Sequence, residues 1–178
     1  MLPPSLCNNG KYALSKVTVA DENREFSSVG PYDVPGFERQ IAMTRSAVLI
    51  VDDDQALRSA MAALIAGYYD LLPCASDGAS GVRSALLLAP DVIVLDVSMP
   101  DMSGIEAARQ ILRAKPEAKI VFLTMIADEA VVAAALEGGA RGYVLKSRAS
   151  RDLLPALQAV LRGETFVSEA LSGSHGSN

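Results

Sequence analysis

Four short apolar runs in this chain each end on a residue able to do chemistry. Asp52-Asp53-Asp54 follow the first run, Asp96 follows Val92–Leu95, Thr124 closes Ile120–Leu123, and Lys146 follows Tyr143–Leu145. Taken singly, each has a plain explanation. An acid where a strand turns into a helix caps that helix, as expected for Asp54; Asp96 caps a turn before Pro100, Thr124 is a β-branched strand residue, and Lys146 is a surface charge. Taken jointly, an acid pair, an acid, a hydroxyl and an ammonium at successive strand ends ask for one explanation. Carboxylates about 5 Å apart repel by roughly 3 kcal/mol per pair at an effective dielectric of about 20. Three such pairs rival the whole stability of a small domain, about 5 to 15 kcal/mol. A Mg²⁺ ion, which takes carboxylate and carbonyl oxygens and completes its octahedron with waters or phosphoryl oxygens, supplies the missing charge together with Lys146. The set therefore describes a pocket for a phosphoryl group.

Such a pocket needs a framework that brings every strand end to one edge. From Ala47 onward, short continuous apolar runs alternate with helical periodicity, the signature of β-α units around a parallel sheet. Ala47–Val51, Val92–Leu95 and Ile120–Leu123 are apolar on both faces, as central strands are, and Tyr143–Leu145 is shorter. Tyr69–Ala75 contains Pro73, which cannot donate to a ladder, so this strand is expected at an edge. Leu57, Met61, Leu64 and Ile65 form one helical stripe, and Leu153, Leu157 and Val160 another. Ser103-Gly-Ile-Glu106 has capping-box spacing for a third helix, and Gly138-Gly139 stops a fourth. Five β-α units fit residues 47–165. In such sheets ligands bind outside the carboxyl ends of the strands, where the strand order reverses.

The rest of the chain narrows the chemistry. Its 178 residues hold one ordinary domain and an extension, and half of them are hydrophobic, enough for a core. A net charge of -5 and a pI near 4.9 have the wrong sign for a nucleic-acid or anionic-membrane surface. A single His, and two Cys, Cys7 and Cys74, in no C-x-x-C or paired spacing, remove the material for zinc sites and Ser-His-Asp triads, so any metal is held by oxygen. No apolar run reaches the ~18 residues of a membrane span, and the start lacks a signal-peptide pattern; a cytoplasmic location is expected. Residues 1–46, punctuated by Pro and Gly, read as an arm with one short strand at most, Tyr12–Val19. A product beginning at Met43 would lose no core element. Residues 169–178, rich in Gly and Ser and carrying His175, read as a tail.

VLIVDDD, VIVLDVSMPDMSG, VFLT and GARGYVLK, in this order, resemble a response-regulator receiver domain of two-component signalling over residues 47–168. The resemblance implies a flavodoxin-like, doubly wound α/β fold with a five-stranded parallel sheet of order 2-1-3-4-5. It implies that Asp96 is the phospho-acceptor and attacks the phosphohistidine of a sensor histidine kinase or phosphotransfer protein. Asp52, Asp53, Asp96 and the backbone carbonyl of Ser98 would then hold Mg²⁺, Asp53 directly and Asp52 largely through water. Lys146 and Thr124 would contact phosphoryl oxygens, and Tyr143 would be the aromatic switch that moves inward with Thr124. The absence of His from the folded region fits acceptance of a phosphoryl group rather than its relay.

Three positions depart from the common receiver pattern. Ser147 follows Lys146 where many receivers have proline, Met125 narrows the route to the site, and Pro155 falls in the fifth helix, where a late start or a bend is expected. The resemblance is strongest to receivers that precede a LuxR-type helix-turn-helix, which this sequence lacks. Either a single-domain receiver works by docking or dimerising through the face spanned by Val131–Leu157, or the sequence is the N-terminal fragment of a transcriptional regulator. From another class, a Mg²⁺-dependent phosphatase could use Asp96 as nucleophile. Such enzymes of the haloacid-dehalogenase type place Asp-x-Asp after the first strand, whereas Asp96-Val97-Ser98 follows the third.

Overall fold

The structure is a computed structural model and describes residues 45–171. The expectations for the arm, the Tyr12–Val19 strand, the Met43 start and His175 lie outside those residues. From Ala47, runs of Val, Ile and Leu form the central strands: β1 (Ala47–Val51), β3 (Val92–Leu95) and β4 (Ile120–Thr124), with β5 (Gly142–Leu145) beside them. All are parallel, and Val48–Val51 pair in register with Val92–Leu95. Alternate side chains divide between two apolar layers. Leu49, Val51, Ile93, Leu95 and Phe122 face one layer, while Val48, Ile50, Val94, Val121 and Leu123 face the other. Strands buried on both faces need helices on both faces, which explains why their sequences are apolar throughout.

Helix α1 (Gln55–Ile65) starts where Asp54 accepts hydrogen bonds from the amides of Ala56 and Leu57, as the capping expectation holds. It shares one face with α5 (Ala149–Leu161), through Met61, Ile65, Leu153 and Leu157. The other face carries α2 (Gly78–Leu88), α3 (Gly104–Ala114) and α4 (Glu129–Glu137). Ser103 caps α3 by accepting from the Glu106 amide at 3.3 Å. The Glu106 carboxylate turns to Arg109 and Gln110 instead of reaching back, so half of the capping box forms. Beyond α4, Gly139 adopts φ +100°, a conformation that favours glycine and ends the helix as expected.

With β2 (Asp70–Leu71) and β6 (Phe166–Val167) included, the sheet order is β2-β1-β3-β4-β5-β6, so the doubly wound topology is as expected and the strand count is corrected from five to six. The added strand, β6 (Phe166–Val167), pairs parallel with β5 after α5 has ended. Strand β2 lies at the sheet edge but spans only Asp70–Leu71, with Ala75 rejoining Val51 as a lone bridge. Pro73 sits between these pairings and has no amide to give. Pro155 lies inside α5, which starts six residues earlier at Ala149, so no late start occurs. Arg151, whose carbonyl loses its i+4 amide to Pro155, is exposed, as is Pro155 itself, so the break in the ladder faces solvent. Among the described residues, no helix is long and apolar enough to cross a membrane.

Candidate functional site

The strand order reverses between β1 and β3, and the residues following these two strands meet there. Carboxylate oxygens of Asp52, Asp53 and Asp96 all lie within 4.8 Å of one another. Asp52 and Asp96 are each 2% exposed, whereas Asp53 faces solvent. Lys146 arrives from the end of β5. Its Nζ donates to Asp96 Oδ2 at 2.7 Å and stands 2.8 Å from Asp52 Oδ2. This second contact is an ion pair without hydrogen-bond alignment, and the buried Asp52 Oδ2 has no hydrogen-bond partner.

Backbone geometry holds the acids in place. Asp52 Oδ1 accepts from the Asp54 amide at 2.8 Å, and Asp96 Oδ1 accepts from the Ser98 amide at 3.2 Å. After Asp96 the loop folds back, the Gly104 amide donating to the Val97 carbonyl at 2.9 Å. A Cβ on Gly104 would stand 1.9 Å from the Asp96 carbonyl oxygen, so only glycine permits this approach. Arg58, one turn into α1, donates to the Asp52 carbonyl at 2.5 Å. Neither Gly104 nor Arg58 was singled out from sequence for the site. The Gly in SGIE was a readable signal; Arg58 had none, since its role depends on how α1 leaves β1.

Electrostatics follow from burial against pairing. Burial pushes the Asp52 carboxyl above its ordinary range, further than Lys146 and the Asp54 amide pull it back. Burial also works against the Lys146 ammonium, but its contacts with Asp52 and Asp96 outweigh that and raise its pKa. Three carboxylates and one ammonium leave the pocket short of positive charge.

The other expected residues stand at the same sheet edge. Thr124 is paired with Leu145, buried, and its Oγ1 accepts from the Ile126 amide at 3.2 Å. Tyr143 is fully buried, and its hydroxyl donates to the Ile126 carbonyl at 3.0 Å. Its ring tilts 59° against Phe122, and burial, helped by Asp128, pushes the phenol up to about 12. Both side chains therefore grip the backbone of one residue after β4. Met125 is 71% exposed beside them. Lys146 opens a single 3-10 turn, Lys146–Arg148, and no described peptide bond is cis.

A divalent cation fits this donor set. Hard carboxylate oxygens suit Mg²⁺, whose octahedron separates ligand oxygens by about 3 to 4 Å, close to the spread of the three acids. Asp52 Oδ2 is a buried acceptor held by the ion pair with Lys146 and by no aligned hydrogen bond. The residues present thus match an oxygen-bound ion with open positions.

The family model described as response regulator receiver domain matches residues 48–158. The chain is 38% identical over 128 residues to the transcriptional regulatory protein LiaR of Bacillus subtilis (strain 168), covering 71% of this chain and 61% of that protein. It is 35% identical over 130 residues to the oxygen regulatory protein NreC of Staphylococcus epidermidis, covering 71% and 60%. The chain thus spans about three fifths of the length of these curated relatives. Among solved structures, a two-component response regulator of the LuxR family from Aurantimonas sp. SI85-9A1 superposes with a TM-score of 0.70 at 31% identity, covering 72% of this chain and 94% of that one. The isolated receiver domain of RcsB from Salmonella enterica serovar Typhimurium, studied with the phosphomimetic BeF3-, gives 0.67 at 28% identity, covering 72% and 97%.

Proposed function

The chain belongs to the response regulator receiver domain family, and from that membership we propose that Asp96 accepts a phosphoryl group from the phosphohistidine of a sensor kinase or phosphotransfer protein. The observation that carries the assignment is the bridge from Lys146 to Asp96 and Asp52 inside a cluster of three acids. An Asp96 oxygen attacks phosphorus in line; the O–P bond forms as the P–N bond breaks. The P–N electron pair returns to the imidazole nitrogen, which leaves as neutral imidazole while its other nitrogen keeps its proton. Such a loose transfer needs position and charge neutralisation more than covalent help.

Asp53, Asp96 and the Ser98 carbonyl would hold Mg²⁺, with Asp52 acting largely through water. When bound, the ion neutralises charge developing on the transferred oxygens. Lys146 keeps its proton and pairs with one phosphoryl oxygen, leaving its place between the two buried acids. Thr124 turns its hydroxyl from the Ile126 amide toward another, and Tyr143, already inward, fills the space behind it. The chain modifies itself and turns over no second substrate. Water later attacks the phosphorus of the acyl phosphate, the bond to the Asp96 oxygen breaks, and inorganic phosphate leaves with Asp96 again a carboxylate.

Incubation with acetyl phosphate and Mg²⁺ is expected to add one phosphoryl group to the protein and none to Asp96→Asn, as read by intact mass. A wild-type protein that takes no adduct overturns the assignment. The length of the curated relatives favours a second reading at the level of the whole protein, in which this chain is the receiver part of a LuxR-type transcriptional regulator. A reading frame that continues past Asn178 into a helix-turn-helix decides for it.

A further inference from the structure

Five polar or charged residues are buried among the described ones: Asp52, Asp96, Thr124, Asp152 and Ser168. The first three belong to the pocket. The last two are unused by the transfer and are bonded to each other, the Ser168 hydroxyl donating to Asp152 Oδ2 at 2.7 Å. Burying an acid and a hydroxyl is costly unless every polar atom finds a partner, and a well-packed apolar pair would serve stability as well.

Their partners converge on one short turn. The Leu145 amide donates to Ser168 Oγ at 3.2 Å, taking the place of a ladder bond beyond the end of β6. At the far end of the turn, Arg148 Nε donates to Asp152 Oδ2 at 2.9 Å. The Ser168 amide itself donates to the Tyr143 carbonyl at 2.9 Å. Between these anchors stands Lys146, whose ammonium reaches both buried acids.

We propose that Ser168 and Asp152 are positioning residues for Lys146: they clamp both ends of its turn so that the ammonium stays over Asp96, and they couple β6 to occupancy of the pocket. The proposal rests on the phosphoryl-acceptor reading. A serine hydroxyl both accepts the Leu145 amide and donates to Asp152; threonine keeps both functions and alanine neither. Coupling is reciprocal, so whatever fixes Lys146 also fixes β6, the strand through which the chain leaves the sheet.

The test follows phosphoryl incorporation from acetyl phosphate with Mg²⁺ in the full chain. Ser168→Ala is expected to react about fivefold more slowly, the order of one lost hydrogen bond, with Ser168→Thr close to wild type. In a Lys146→Ala background the Ser168→Ala change should cost nothing further, because its effect passes through the ammonium. An equal further loss in that background, or an unchanged rate in Ser168→Ala alone, overturns the clamp. Hydrogen exchange on the wild type needs no variant: adding Mg²⁺ and beryllofluoride should protect residues 143–146 and 166–168 together. Protection of the first segment without the second overturns the coupling. If the wild-type protein itself takes no phosphoryl group, the phosphoryl-acceptor reading fails and the clamp with it, whereas a reactive wild type matched by Ser168→Ala sinks the clamp alone.

Discussion

At the scale of single residues, the charges in the pocket do not contribute equally. Asp96 meets two acids within 4.8 Å and one ammonium at 2.7 Å. At an effective dielectric of about 20 the attraction is roughly 6 kcal/mol and the two repulsions together roughly 7, so its charge is nearly neutral for stability. Asp53 repels the same acids and has no ion pair with Lys146, and water screens part of that repulsion because it is exposed. Asp53→Asn is therefore expected to raise Tm by about 2 °C in metal-free buffer. It should also remove most of the stabilisation that Mg²⁺ gives the wild type, which reaches about 2.7 kcal/mol at a hundredfold excess over Kd. Thermal scans with EDTA and with Mg²⁺ read both effects, and a variant less stable than wild type in EDTA contradicts the repulsion argument. Asp52, Asp96 and Lys146 were legible from sequence because a parallel sheet sends every strand end to one edge. The pairing of one ammonium with both buried acids was not, since it depends on how far the turn after β5 leans back over the pocket.

At the scale of elements, the clamp joins the start of α5 to β6, and its acid has a pH signature. Asp152 is buried, which opposes its charge, yet Arg148 and Ser168 hold its pKa below the ordinary carboxylate value of about 3.9. A carboxyl depressed on folding contributes stability that is complete above the unfolded value and lost as pH falls through the folded one. Asp152→Asn should accordingly unfold more easily at pH 6, by about 2 kcal/mol. The gap to wild type should narrow as pH falls below the unfolded value of about 3.9 and close only once the folded carboxyl is protonated, because protonated Asp and Asn present similar groups. Urea unfolding at several pH values reads this, and a gap independent of pH would mean that charge plays no part. The pattern of apolar runs made β1, β3, β4 and β5 readable, and Pro73 correctly put β2 at the edge while also cutting it to two residues. Strand β6 is not legible in the sequence because two apolar residues after Gly163 carry no period, and its pairing is fixed by Ser168, sixteen positions beyond Asp152. Sequence spacing cannot display a bond whose partners meet only when α5 lies across the sheet.

At the scale of the whole molecule, the described residues between Val48 and Leu171 assemble two apolar layers, one on each face of the sheet. Strand β1 is anchored at its start by the Asp91 carboxylate, which accepts from the Ala47 amide at 2.7 Å, while the Asp91 amide donates back to the Ala47 carbonyl at 2.9 Å. That reciprocal pair fixes where the sheet begins without requiring a residue before Ser46. A chain begun at Met43 should therefore melt within about 2 °C of the full 178-residue protein. It should also take the phosphoryl group from acetyl phosphate at the same rate, because every residue assigned to the pocket and the clamp is retained. Calorimetry and intact-mass kinetics on the two proteins compare them directly. A fall in Tm of 10 °C or more, on the order of 2 kcal/mol or above for a domain of this size, would show that the first 42 residues cover apolar surface of the receiver. An equal Tm with a slower phosphoryl uptake would instead place their influence at the pocket, since stability and site access would then have separated.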